Sequence, residues 1–263
     1  MSTVAVILGS AYLKEMPEEL SLSVERYNTP WGDQILHRVK GIDREAYILF
    51  RHGLPHRLLP NQINYRAQAH ALKLAGCKAL LVTSSVGVLD TEIPLFQPLL
   101  VNDILMPDNR LPDGSACTMY REPSENHGHL VLSEGLLSIE LNRQLQSLGE
   151  EILDRTQPEV VFAYVGGPRG KSSAENRYWS KMGAKVNSMT LAPEVVLANE
   201  LEIPCAGLVA GHKYSVPDHD NPQSKLDVTE SLDRCRESME ELILKFLREG
   251  EPVPFANHIY RFD

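Results

Sequence analysis

AYILF (residues 46–50), followed by NYRAQAHALKLAGCKALLVTSS (64–85), decides the fold. The first piece is a continuous apolar run, the mark of a strand buried on both faces of a mostly parallel sheet. Residues 64–75 space apolar side chains at three and four and stop at Gly76, which predicts a helix with a glycine just past its end. Residues 79–83 form a second apolar run, ending in hydroxyls. Strand, helix, strand in this order is a parallel crossover, because two parallel strands need a long connection, commonly helical.

The same alternation continues in both directions. Apolar runs at 4–8, 99–101, 160–165 and 205–209 read as further strands, with a strand-like 185–187. Helical spacing recurs at 136–148, 174–182, 193–200 and 228–247. Strands alternating with helices imply one α/β domain, residues 1–263, whose ligands sit at the carboxyl ends of the strands. Two polar segments, 107–128 and 217–225, interrupt the pattern, and long polar loops inside a compact domain are usually functional or mobile.

A formal net charge of −9 argues against a general role on nucleic acid or anionic membrane, since either surface repels such a chain and no basic patch offsets the mean. Cys77, Cys117, Cys205 and Cys235 are far apart with no CxxC pair, which reads as buried reduced thiols rather than a metal centre. The first apolar run is too short to span a membrane, has no basic leader before it and runs into a glycine turn, so a cytoplasmic protein is expected.

Chemistry gathers at the strand ends: Gly9-Ser10, Arg51-His52-Gly53, Thr83-Ser84-Ser85 and Ser188-Met189-Thr190. Each is ordinary turn composition taken alone. Converging hydroxyls, backbone N–H groups, an Arg fork and a His are what a small oxyanion needs. The chain has neither GxxxxGK[ST] nor GxGxxG, so a nucleoside triphosphate or dinucleotide cradle is not expected and the anion would be small, such as free phosphate.

Leu8-Gly9-Ser10, the block RHGLPHRLLPNQINYRAQAHALKLAGCKALLVTSSVGVL (51–89), then GPRGKSSAE (167–175) and GAKVNSMTLAPEVVLANE (183–200) together resemble the purine nucleoside phosphorylase family in its 5′-methylthioadenosine phosphorylase branch. The resemblance implies the nucleoside phosphorylase fold, with a mixed, mostly parallel sheet flanked by helices. It also implies a purine-salvage pentosyltransferase that cleaves an N-glycosidic bond with inorganic phosphate as co-substrate, without cofactor or metal. Its expected partners are a nucleoside and phosphate, and its expected assembly a homotrimer or hexamer. By position, Ser10, Arg51, His52, Ser84, Ser85 and Thr190 would hold phosphate. Met189 would lie under the ribose, and Ser188, Gly170, Lys171 and Ser215 would border the nucleoside. His129 falls where the family lends a histidine across a subunit interface to the sugar; the alternative is a solvated loop histidine.

Departures cluster where the base should sit. The branch reads GPRFSS, with Phe stacking on the base, whereas Gly170 removes that ring and Lys171 follows it. Relatives specific for adenine carry T-D-Y-D where this chain has His212-Lys213-Tyr214-Ser215, so acceptors have become a donor and a hydroxyl. Glu175 keeps the family's residue and reads as a helix cap. Either the two lysines point outward, or they face the base, with Lys213 in a catalytic role, and disfavour adenine's amine while favouring keto oxygens or an acidic group. Asp218 and Asp220, in the loop that follows, are the carboxylates that would reverse that preference by folding back. A phosphorylase of a purine-type nucleoside, with an unmodified or modified 5′ position, is the first reading. A hydrolytic or non-catalytic nucleoside-binding relative is the second.

Overall fold

The computed structural model describes residues 3–12, 20–124, 127–153, 159–216 and 227–261. In chain order the strands are β1 (Thr3–Leu8), β2 (Ser21–Tyr27), β3 (Gln34–Lys40), β4 (Glu45–Phe50), β5 (Cys77–Val88) and β6 (Pro98–Leu105). They continue with β7 (Gly128–Val131), β8 (Val160–Tyr164), β9 (Val186–Ser188), β10 (Cys205–Tyr214) and β11 (His258–Arg261). The helices are α1 (Tyr65–Leu74), α2 (Ile139–Leu148), α3 (Ser173–Lys181), α4 (Ala192–Glu200) and α5 (Val228–Glu249).

Nine strands form one mixed sheet in the order β10-β6-β8-β9-β5-β1-β4-β3-β2, and β10 also pairs with β5. That extra pairing closes β5, β10, β6, β8 and β9 into a ring, from which β1, β4, β3 and β2 extend as an open wing. The expected crossover is present: β4, α1 and β5 follow one another, and β1 lies between the two strands, parallel to both. Asn64 caps α1 by accepting from the Ala67 N–H at 3.2 Å, and Gly76, at φ +74°, provides the left-handed turn after it.

Alternation along β5 builds two cores. Leu80 and Val82 face Ala71 and Leu72 of α1 and Val195 and Ala198 of α4. Ala79 and Leu81 face Leu141 and Leu145 of α2 and Met239, Leu242 and Phe246 of α5. A strand apolar on both faces needs helices on both faces, which is the layering the sequence predicts. All four cysteines are free and buried in this packing. Among the described residues no helix is long and apolar enough to cross a membrane.

The structure adds elements absent from the sequence reading. β2 and β3 form an antiparallel hairpin at the sheet edge, and β7 pairs with β11 in a separate ribbon. Within the polar segment 107–128, residues 116–119 are tied to the helices. Arg66 of α1 donates to the carbonyls of Thr118 and Ala116 at 2.8 and 2.7 Å, while Glu200 of α4 accepts from Thr118 Oγ1 at 3.0 Å and from the Met119 N–H. The segment 217–225, with Asp218 and Asp220, lies outside the described residues.

Phe162 of β8 has no solvent exposure inside the closed ring. Phe162→Ala is expected to cost about 3–5 kcal/mol in urea unfolding. A cost under about 1 kcal/mol would mean that the ring interior is not tightly packed.

Candidate active site

The ring and the wing meet on one edge of β5. There β1 pairs with β5 as far as Val82 and β9 takes over at Gly87, leaving residues 83–86 between the two partners. A cleft of about 490 Å3 opens at this divergence. Such a point, where neighbouring strands part at their carboxyl ends, is where open α/β sheets bind ligands.

Ser10, beyond the end of β1, and Ser84 and Ser85, inside β5, line the cleft together with Ser188, Met189 and Thr190 at the end of β9. Ser84 Oγ donates to Ser188 Oγ at 3.1 Å, joining the two strands across the gap. The Ser85 hydroxyl is buried without a partner in the structure. Leu191, just after Thr190, has φ +74° and ψ −56°, and the Ala192 N–H donates to the Thr190 carbonyl at 3.0 Å. This is a γ-turn of the rare, strained kind, imposed on a wholly buried leucine, and it turns the chain sharply from the cleft wall into α4.

Arg51 is not among the cleft's lining residues, although the sequence pattern expects it to hold phosphate. Its side chain is 1% exposed and pairs through Nε with Glu194 of α4, itself 2% exposed, while Nη1 donates to the Thr83 carbonyl at 2.9 Å. A Cβ on Gly9 would lie 2.7 Å from Nη1, so the guanidinium packs directly beneath the Gly9-Ser10 turn. Nη2 of Arg51 and Oε2 of Glu194 are buried without partners in the structure. An isolated buried donor of this kind carries a desolvation cost that a ligand oxygen would remove.

His52 faces the cleft, and its ring stacks on His56 at 4.2 Å with an interplanar angle of 10°. Its Nδ1 lies 2.8 Å from the Leu58 carbonyl, which can only accept, so Nδ1 carries the proton and the neutral ring turns an accepting Nε2 elsewhere. Burial, then Arg51, holds the His52 pKa down to about 3.

The opposite end of the cleft is cationic. Gly170, Lys171, Ser173 and Asn176 from the start of α3 meet His212, Lys213, Tyr214 and Ser215 from the end of β10. Both lysines line the cleft, Lys171 half-buried and Lys213 exposed. Burial, then the charge of Lys213, lowers Lys171 to about 8, and burial with both lysines lowers His212 to about 4. Nothing lies within 4 Å of a Cβ on Gly170, so a missing side chain leaves open space there. Glu175 accepts from the Ser172 N–H at 2.7 Å and holds Arg169 through both oxygens, which makes it a cap. Among the described residues no Asp or Glu lines the cleft.

Two glycines are explained by their neighbours. A Cβ on Gly167 would press on Met189 Sδ at 2.7 Å, and one on Gly87 would collide with Ser215 Oγ and come within 3.1 Å of Asn187 Oδ1. His129 stands on β7, exposed, with its ring 5.5 Å from Tyr260, and is not among the cleft's lining residues. His56, Asn176, Asn187 and Glu194 belong to the site without having been read from the sequence. His56 had a signal in the doubled RHGLPH, and Glu194 in being a lone acid in an otherwise apolar turn of helix.

A model of the phosphorylase superfamily matches residues 3–248. A probable S-methyl-5′-thioinosine phosphorylase of Methanopyrus kandleri is 31% identical over 245 residues, covering 92% of this chain and 91% of its own. An S-methyl-5′-thioadenosine phosphorylase of Hyperthermus butylicus is 29% identical, covering 95% and 89%. Among solved structures, methylthioadenosine phosphorylase from Schistosoma mansoni in complex with adenine superposes with a TM-score of 0.79 at 22% identity, over 94% of this chain and 91% of that one. At that identity the superposition speaks for the fold.

His52 and His212, at about 3 and 4, bind protons less readily than unfolded histidines near 6.5. Their contribution to stability is therefore complete above pH 6.5 and is lost as pH falls toward their folded values. Between pH 7.5 and 5, wild-type unfolding free energy should drop by on the order of 1–2 kcal/mol more than that of His52→Asn. Equal losses would place an ordinary histidine at position 52.

Proposed function

This chain belongs to the phosphorylase superfamily and acts by phosphorolysis of a purine nucleoside; we propose that its preferred base is a 6-oxopurine and that phosphate occupies the hydroxyl-lined end of the cleft. The single observation behind this is the polarity of the cleft: hydroxyls and a neutral histidine at the strand divergence, ammonium groups at the far end, and no Asp or Glu among the described lining residues.

Ser10, His52, Ser84, Ser85 and Thr190 offer donors and an acceptor to phosphate, and Arg51 supplies positive charge from beneath through its unpaired Nη2. Met189, on the wall of the same cleft, would lie under the ribose. Phosphate held below the sugar faces C1′ as the glycosidic bond breaks. The electrons of that bond stay with the base, positive charge grows on the ribose, and a phosphate oxygen closes on C1′. The bound anion stabilises the sugar cation, and donors at the other end stabilise the base as it becomes negative. No side-chain nucleophile is needed.

Lys171 and Lys213 can only donate. Adenine's exocyclic amine also donates, so it would leave a lysine unpaired, at about 1–3 kcal/mol for each buried group, whereas a 6-keto oxygen accepts. A relative acting on a thioinosine supports this direction and one acting on a thioadenosine shows that the family accommodates both. The exposed His129 fits a homotrimer in which each chain lends it to a neighbour's cleft.

Methylthioinosine should exceed methylthioadenosine in kcat/KM by about tenfold or more, and a preference for the adenine compound would overturn the base assignment. Phosphate should raise the melting temperature of the wild type but not of Arg51→Ala. No shift in the wild type would remove the phosphate site. Light scattering should return a trimer mass, and a monomer would remove the lent histidine.

A further inference from the structure

We propose that the base end of the cleft is built for a purine that is already an anion when bound, a 2,6-dioxopurine of the xanthine type, held between Lys171 and Lys213. The inference deepens the phosphorolysis reading above and rests on it.

Two ammonium groups line one end of a cleft, close enough that Lys213 disfavours the charge on Lys171. Like charges brought together cost energy in the empty protein, and an anion between them converts that cost into attraction. Glu175 offsets part of this on Lys171, but less than burial and Lys213 impose, and both its oxygens hold Arg169 while one also caps α3. The first turn of α3 presents Ser173 to the same end, so the positive end of the helix adds to the field. A neutral keto oxygen would use one hydrogen bond of one lysine. A negative charge spread over the two keto groups and ring nitrogens of an ionised dioxopurine suits both.

The geometry also answers a chemical difficulty. A nucleoside whose base has already lost a ring proton is a poor donor, because the electron pair of the C1′–N bond must move onto a ring that is already negative. Two ammonium groups offset that second charge, and one of them can pass its proton to a ring nitrogen as the bond to C1′ breaks. The base then departs as the monoanion, the ammonium becomes an amine, and solvent restores the proton. The absent ring at Gly170 fits the same demand, since open space at the cleft wall admits the second keto group.

The test compares xanthosine with inosine at neutral pH in phosphate buffer, for wild type, Lys171→Gln, Lys213→Gln and Lys171→Arg. Wild type should favour xanthosine by about tenfold in kcat/KM. Each Gln variant should lose that preference, with xanthosine falling further than inosine, and Lys171→Arg should keep most of it. A general structural defect would lower both substrates together and leave the ratio unchanged. Equal kcat/KM for the two, or a ratio that neither Gln variant moves, overturns the inference and leaves phosphorolysis of 6-oxopurines intact. If neither nucleoside yields base and ribose 1-phosphate, the phosphorolysis reading fails instead. Melting shifts with free xanthine and free hypoxanthine then decide the inference separately: a larger shift for xanthine that vanishes in Lys171→Gln supports it, and equal shifts end it. Two phosphates bound per wild-type chain, and one in Lys171→Gln, would assign the lysines to a second inorganic anion and also overturn it.

Discussion

The ion pair between Arg51 and Glu194 is the contact on which the site depends. It joins the residue that follows β4 to the helix that follows β9, and Arg51 Nη1 adds the Thr83 carbonyl in the middle of β5. Three segments distant in sequence are thereby locked around the gap where β1 leaves off and β9 begins. A buried pair is not by itself a source of stability, because desolvating two charges costs as much as their attraction returns unless the remaining polar atoms are satisfied. Here one atom of each partner is not. The arrangement makes sense as a charge held ready beneath a ligand, with Gly9 bare so that the guanidinium can come close.

From that anchor the cleft divides into two chemistries. Its hydroxyl end is built at and just beyond the ends of β1 and β9 and inside β5, with Ser84 and Ser188 bonded across the gap and Thr190 followed by the strained turn at the buried Leu191. Its lysine end rests on the start of α3 and the end of β10, where an exposed side chain and a half-buried one share a wall. Phosphorolysis needs this asymmetry. The anion must stay fixed under the sugar while charge moves away from it onto the base, so the second end must become more favourable as the reaction proceeds. Lysines facing the base, as proposed, would meet that condition, whereas carboxylates there would have to be protonated first.

How much of this was legible in the sequence follows from burial. β1, β4 and the first half of β5 are covered on both faces, so they read as unbroken apolar runs. The edge hairpin β2–β3 is not, and Val24 on its outer face is 60% exposed, so no run announced it. The ring closure was invisible because β5 and β10 continue past their apolar halves into hydroxyls and charges that serve the cleft. Ser10, His52, Ser84, Ser85 and Thr190, which line the cleft, stand out in the sequence because they follow strand ends or interrupt a strand. Glu194 was missed because an acid inside an apolar helix looks like an exposed side chain until its arginine, far away in the chain, is known. Arg51, expected at the ligand, packs beneath the Gly9-Ser10 turn and is not among the lining residues. His129 stands on β7, apart from this chain's own cleft.

Product analysis with and without phosphate tests the central claim most directly. Inosine incubated with the protein in phosphate should give hypoxanthine and ribose 1-phosphate in equal amounts, and in phosphate-free buffer neither product should form. Hypoxanthine released together with free ribose in the absence of phosphate would contradict the account, since water would then be the acceptor and the charge held under the cleft by Arg51 and Glu194 would have some other purpose.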